Sequence, residues 1–482
     1  MPRNTVYFAA IVLGAAISVG CARKAPEEAP KAADPLGDLA APASPTFELP
    51  KAPTATTLRV LVGGDVLPHR PRLLEPAKIH AALEPLSPFF QSSDAVVVNF
   101  EAATGDPDHA TKMAYVAPPE WLSALKESGV TAITAANNHS CDMGPMGVRT
   151  TLSSADAAGL TTVGIGAGAP FTHHVIAEKD GKKVCAVAWT NLMNSHSCEG
   201  STLVAFAPAT RRGTAEIVSA VRKARESCDA VIAIFHGGDE YAPQTEATMA
   251  QARRAADAGA DAVIMHHPHI VSPEAKHTTK DGRTVPIFAS LGNLVTNQGE
   301  SWKPPMYPVL RTDRHLVCVN GWTRLGMLAD LTFSFSGTHK ALSYASHLVY
   351  IENEHANDKK AKMPKIDVRM LSPEGDKDVI ARLKDDPEGP VPVFDDPCWF
   401  EASGKRCDAD VDSKTKPQAG EPVAFASDEE QGPSGSPRSR RLTAAHVSTK
   451  TDGSTKRHQA GTGLSPGLST PSAASKHGHK KP

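Results

Sequence analysis

Between residues 58 and 290 the chain repeats one pattern, a short apolar run followed by a longer segment with helical spacing. LRVLVGG (58–64), DAVVVNF (94–100), VTAITAA (130–136), LTTVGIG (160–166), KKVCAVAW (182–189), DAVIAIF (229–235), ADAVIMH (260–266) and TVPIFAS (284–290) read as strands. Residues 120–129, 145–159, 212–227 and 245–259 read as helices, several closed by glycine. Continuous apolar runs of this length fit strands buried on both faces. Their alternation with helices implies an α/β sheet covered by helices. No GxGxxG opens a helix after the first strand, which argues against a dinucleotide fold. LADLTFSF and HLVYIE, within 323–370, read as further β additions to the same domain.

Polar residues gather where the apolar runs stop. Asp65 follows the first, Asn99 and Glu101 the second, and Asn137, Asn138 and His139 the third. His236 follows DAVIAIF, and His266, His267 and His269 follow ADAVIMH. In an open α/β sheet the carboxyl ends of the strands line one crevice, so these distant groups converge there. Taken singly, each has an ordinary explanation as a cap, a turn residue or a satisfied buried histidine. Taken together they need partners or a ligand. Carboxylate, amide oxygen and imidazole in one place suit Mn, Fe, Zn or Mg better than copper or a calcium cage. Two such ions about 4 Å apart need a bridging carboxylate and an open edge for water. His139, beside Asn138, is placed to reach a substrate and move a proton.

The ends of the chain differ from its middle. Residues 1–21 read as an export signal: Arg3, an apolar stretch too short for an ordinary membrane span, then Ser18, Val19, Gly20 and Cys21. Small residues before a cysteine resemble a bacterial lipobox, with Cys21 lipidated. An ordinary signal peptide and an uncleaved anchor are the alternatives, and each places the domain outside the cytoplasm. Residues 22–56 form a tether rich in proline and alanine. The folded domain is expected over 57–400, followed by a basic tail over 401–482 without apolar runs. The formal net charge of −2 gives no nucleic-acid signal. Eight cysteines in an exported chain permit disulfides. Cys398 and Cys407 form the first candidate pair, while Cys185, Cys228 and Cys318 sit near apolar runs and read as buried.

In chain order, VGGDVLPHR, VVVNFEAATGD, AANNHSCDMG, FHGGDEYAP, GADAVIMHHPHIVSP and ASLGNLVTNQ resemble the motifs of the CapA family. These are poly-gamma-glutamate capsule synthesis proteins, related to the calcineurin-like metallophosphoesterases. The resemblance covers roughly residues 58–320. It implies a four-layer α-β-β-α sandwich and a centre for two divalent ions. By motif, Asp65 would bind one ion, Glu101 would bridge both, and Asn138 would bind the second. His236, His267 and His269 would complete the coordination. His139 would face substrate, and Asn99 and Glu240 would stand behind the ligands or touch substrate. Asn293 would shape a loop of the site.

The chain also departs from that pattern. The wider phosphoesterase group has Asp-x-His in its first motif, whereas Asp65 is followed by Val66 and Leu67. The bridging carboxylate is a glutamate, and Gly237 stands where relatives commonly have tryptophan. Two readings follow. The chain is an envelope-attached, metal-dependent hydrolase acting on an anionic capsule or envelope polymer. Alternatively, the same cleft serves a non-catalytic capsule assembly or export factor.

Overall fold

The computed structural model describes residues 55–68, 75–110, 114–198, 201–303, 319–353, 366–386, 406–409 and 411–412. The signal, the tether, Cys21 and Cys398 lie outside these residues, as does most of the tail. In chain order the first half comprises β1 (Thr56–Val66), α1 (Pro76–Leu83), α2 (Ser87–Gln91), β2 (Ala95–Phe100), β3 (Ala103–Thr104) and β4 (Val116–Ala117). Next come α3 (Glu120–Glu127), β5 (Ala132–Thr134), α4 (Gly144–Ala157), β6 (Thr161–Val163), β7 (His174–Lys179) and β8 (Lys182–Thr190). The second half runs through α5 (Arg211–Ser227), β9 (Ala230–His236), α6 (Glu246–Ala258), β10 (Ala262–His266), β11 (Val271–Thr278), β12 (Thr284–Leu291) and β13 (Asn293–Val295). It closes with β14 (Leu325–Ser336), β15 (His339–Glu352), β16 (Asp367–Met370), α7 (Lys377–Lys384) and β17 (Cys407–Ala409). Among the described residues no helix is long and apolar enough to cross a membrane.

The strands form two principal sheets. The nine-stranded sheet runs β16-β15-β14-β1-β2-β5-β6, with β13 paired to β1 and β17 to β15. The six-stranded sheet runs β11-β12-β10-β9-β8-β7. Side-chain alternation explains why they stack. Leu58, Val60 and Val62 of β1 share a core with Ala230, Ile232 and Ile234 of β9 and with Ala186 and Ala188 of β8. The intervening residues of β8 and β9, Val187, Trp189, Val231, Ala233 and Phe235, turn to the other face and pack with Ile217, Val221 and Ala224 of α5 and Ala252 and Ala255 of α6. On the far side of the nine-stranded sheet, Leu61, Val96 and Val98 pack with Ile79 of α1, Phe90 of α2 and Trp121 and Leu125 of α3. Each central strand is therefore apolar on both faces, which is why it reads as a continuous run in the sequence. Helices, sheet, sheet, helices is the expected four-layer sandwich.

The sheets differ from the sequence reading at their margins. Hydrophobic counting misses β7 and β11, which are antiparallel edge strands facing partly to solvent. The third run, 130–136, gives only three strand residues, and beyond Ala135, whose N–H still bonds Val163 O of β6, the chain enters the site loop. β17 pairs with β15, so residues 407–409, assigned by composition to the tail, belong to the sheet. Cys407 is disulfide-bonded, and Cys398, its expected partner, lies outside the described residues. Cys185 is joined to Cys228, and Cys141 to Cys198.

Candidate metal centre

Strand register builds the site. Across the nine-stranded sheet Asn293, at the start of β13, stands beside Asp65 and Asn99, near the carboxyl ends of β1 and β2, with Thr134 of β5 next in the row. Across the six-stranded sheet Thr190, His236 and His266 form the matching row on β8, β9 and β10. Stacking the sheets brings the rows together. Close approach is built in at Gly64, where a Cβ would lie 2.3 Å from the carbonyl oxygen of Gly292. A side chain there would push β1 away from the loop after β12, and Asp65 with it.

Asp65, Glu101, Asn138, His236, His267 and His269 are all buried here. The donor atoms of Glu101, His236 and His267 lie within 4.8 Å of one another, and so do those of Asp65, Glu101 and His269. Glu101 belongs to both groups, which is the place a bridging ligand must occupy. Asn138 Oδ1 is 2.8 Å from His236 Nε2, so it adjoins the first group. Glu101 is fully buried, and neither of its carboxylate oxygens has a hydrogen-bond partner. Nδ1 of His267 is in the same condition. Buried polar atoms left in this state are costly unless something absent from the polypeptide meets them. The donor set is therefore one that could hold a metal ion.

The backbone at the histidines is unusual. His267 has φ 100° and His269 φ 57°, flanking Pro268, and Tyr241 nearby has φ 60°. Residues other than glycine rarely take such angles, and they concentrate at functional sites. The turn at Pro268 aims both rings into the inter-sheet space. Asn293 fixes His269 from behind: its Oδ1 is 3.1 Å from the ring Nδ1, and its Nδ2 donates to His269 O, Gln298 Oε1 and Thr323 O.

Asn99 stands behind the ligands. Its Nδ2 donates to Asp65 Oδ1 at 2.8 Å and sits 3.1 Å from His236 Nδ1, while its Oδ1 accepts from Thr134 and Asn137. Both polar atoms of its side chain are thus engaged by neighbouring residues. Glu240 is half-buried and makes itself felt by charge, acting on both Glu101 and His269.

Charge is shared unevenly. Burial opposes the Asp65 charge, but His266 and His269 outweigh it and hold the carboxyl well below the usual carboxylate range. Burial, reinforced by the charges of Asp65, Glu240 and Asp142, pushes Glu101 well above that range. Burial and neighbouring imidazoles depress His236 and bring His267 down to about 3. Burial would depress His269 as well, but its contact with Asp65 raises it. These shifts favour the charged forms of Asp65 and His269 and the neutral forms of Glu101, His236 and His267.

His139 lies at the edge of this centre, close enough for its charge to act on His267. Its Nδ1 is 2.6 Å from Asp142 Oδ2, and its ring stacks on Tyr115 with centroids 3.8 Å apart and planes 9° from parallel. Nε2 is 3.4 Å from the amide nitrogen of Asn194. Asp142 was visible in the sequence as an acidic residue three positions after His139. Tyr115 and Asn194 carried no such signal. Gly237 also finds its reason. A Cβ there would lie 2.3 Å from Asn191 Oδ1 and 2.8 Å from Phe235 Cζ, so a side chain at this position would have to displace Asn191 and the Phe235 ring.

Comparison with known proteins agrees with this geometry. The family model described as "Bacterial capsule synthesis protein PGA_cap" matches residues 59–298, which hold the six-stranded sheet, part of the nine-stranded one and every proposed ligand. The chain belongs to the CapA family. It is 30% identical over 236 residues to the capsule biosynthesis protein CapA of Bacillus anthracis, covering 44% of this chain and 53% of that one. It is 29% identical over 264 residues to the PGA biosynthesis protein CapA of Bacillus subtilis strain 168, covering 52% of this chain and 67% of that one. The chain thus spans about half the length of the first CapA relative and two thirds of the second.

Proposed function

We propose that this chain is an exported, envelope-attached CapA protein that holds two divalent cations, Mn, Fe or Zn, between its sheets and hydrolyses a bond in an anionic capsule or envelope polymer. The observation that carries the reading is Glu101, a buried carboxylate without a hydrogen bond at the junction of two three-donor groups. Asp65, Glu101 and His269 would hold one ion, and Glu101, Asn138, His236 and His267 the other. Bound ions would supply Lewis-acid activation of water and neutralise the charge of a phosphoryl or carboxyl group.

The polypeptide supplies the rest. Asp142 holds Nδ1–H of His139, leaving Nε2 as the atom that exchanges a proton with the departing oxygen or nitrogen. Tyr115 fixes the plane of the ring from one face. Asn99 and Asn293 keep Asp65 and His269 turned towards the centre. The relatives' names, capsule biosynthesis and PGA biosynthesis, support poly-gamma-glutamate as the polymer. The export reading is supported by the disulfides, which persist in oxidising compartments. Lipid on Cys21 would provide attachment to the membrane, with capsule machinery as the partner.

The test is metal content and turnover of the purified full chain beside Glu101→Gln and His267→Ala. About two equivalents in the wild type, lost in folded variants, with hydrolysis of a phosphoester or a γ-glutamyl amide, is the expected result. Metal uptake with no turnover on either substrate class would favour the assembly-factor reading. A folded wild type that stays metal-free after Mn or Zn is added would overturn the metal reading.

A further inference from the structure

The loop carrying Asn138 and His139 leans on a segment that no family motif marks, residues 191–198. The backbone N–H of Asn194 donates to the carbonyl of Asn138 at 2.9 Å. Its side-chain nitrogen lies 3.4 Å from Nε2 of His139. Further along, Ser197 Oγ donates to the carbonyl of Cys141 at 3.1 Å, and Cys198 is bonded to Cys141 itself. One short segment thus touches a proposed metal ligand, the proton-exchanging nitrogen and the far end of the same loop.

The contacts are chemically consistent. An amide nitrogen can only donate, so Nε2 of His139 accepts, and Nδ1 carries the proton towards Asp142. Tyr115 covers one face of the ring, Asp142 holds one edge, and Asn194 defines the remaining nitrogen. Most of the 191–198 segment lacks regular structure, with a single 3-10 turn at His196–Cys198. A segment with so few backbone hydrogen bonds stays in place by its tie points, and the covalent one is the strongest.

Resting on the metal-centre reading above, we propose that Asn194 is a positioning residue of this site and that the Cys141–Cys198 disulfide holds it there, so that the oxidised chain is the form in which Asn138 and His139 are correctly placed. The molecule contains its own control. Cys185–Cys228 joins β8 to the end of α5, and Cys185 is in register with Val231, five residues before His236, so it sits well below the site. A disulfide acting only on stability would behave alike in both places.

The experiment compares the full chain with C141S/C198S, C185S/C228S and Asn194→Ala. Mn(II) and Zn(II) binding are followed by calorimetry, and the His139 side-chain nitrogens by NMR at one fixed pH. C185S/C228S is expected to keep wild-type metal affinity. C141S/C198S and Asn194→Ala are expected to bind the weaker ion about 10–100-fold less tightly, the usual effect of losing a partner that orients a ligand. Both should also shift the His139 Nε2 signal. Wild-type affinity and an unmoved signal in Asn194→Ala, or equal losses in both disulfide variants, would overturn the proposal. If C141S/C198S fails to fold, Asn194→Ala decides the matter with the disulfide intact. If the wild type itself takes up no metal, the metal reading falls, and the His139 signal alone decides whether Asn194 holds the ring.

Discussion

Their surroundings favour the protonated forms of Glu101 and His269, and a cation bound there would displace those protons. Burial and three neighbouring carboxylates raise Glu101, so it stays neutral above the pH at which an exposed glutamate ionises. His269 is raised through its contact with Asp65, so it too gives up its proton late as pH rises. Ligands bind metal deprotonated, so uptake must release protons and strengthen with pH. Calorimetric titration of Mn(II) from about pH 6 to about pH 8 should show rising affinity, with an apparent enthalpy that tracks buffer ionisation. An affinity independent of pH would mean that Glu101 is already ionised. The candidate ligands were legible because they stand at or just beyond the ends of apolar runs, where polar residues stand out. Tyr115 and Asn194 were not, because ring stacking and a contact between loops leave no spacing to read. The disulfides were equally silent, since sequence does not give connectivity.

Elements are fastened to one another by buried charge as well as by apolar packing. Asp330 on β14 receives Arg59 from β1, His347 from β15 and Arg406 from the segment entering β17. Burial opposes its charge, but His347, Arg59 and Arg406 outweigh this and hold its carboxyl well below the usual range. Asp330→Ala leaves Arg59 and Arg406 without their shared anion and should lower stability by about 3 kcal/mol, measured by urea unfolding. A folded-state pKa below the unfolded one contributes stability that is complete above about pH 4 and disappears only as pH falls towards the folded value. The difference between wild type and Asp330→Ala should therefore hold through neutral pH and shrink in strong acid. None of this was visible beforehand. Asp330 reads as one polar position in a strand, and Arg406 reads as part of a basic tail. The central strands, by contrast, were legible because both of their faces are buried.

At the scale of the molecule, the sheet count and layer order came from the family resemblance, while periodicity alone predicted a covered α/β sheet. Which strands join which sheet is decided by tertiary pairing that apolar runs do not encode. The division matters for the site. Asp65, Asn99, Glu101 and Asn138 come from the nine-stranded sheet and the loop after β5, and His236, His267 and His269 from the six-stranded sheet. A ligand that binds only the folded form stabilises it, by about 2.7 kcal/mol at a hundredfold excess over Kd. Saturating Mn(II) should raise the thermal midpoint by several degrees, and a chelator should reverse it. An unchanged midpoint would show that the ions do not span the seam. One sheet offers oxygen and the other nitrogen, so neither half alone presents the mixed donor set. A cation would meet the mixed donor set only where the two sheets have stacked with Asp65 opposite His269. Metal loading would then act as an inspection step, passing correctly assembled sandwiches and leaving misdocked ones unloaded.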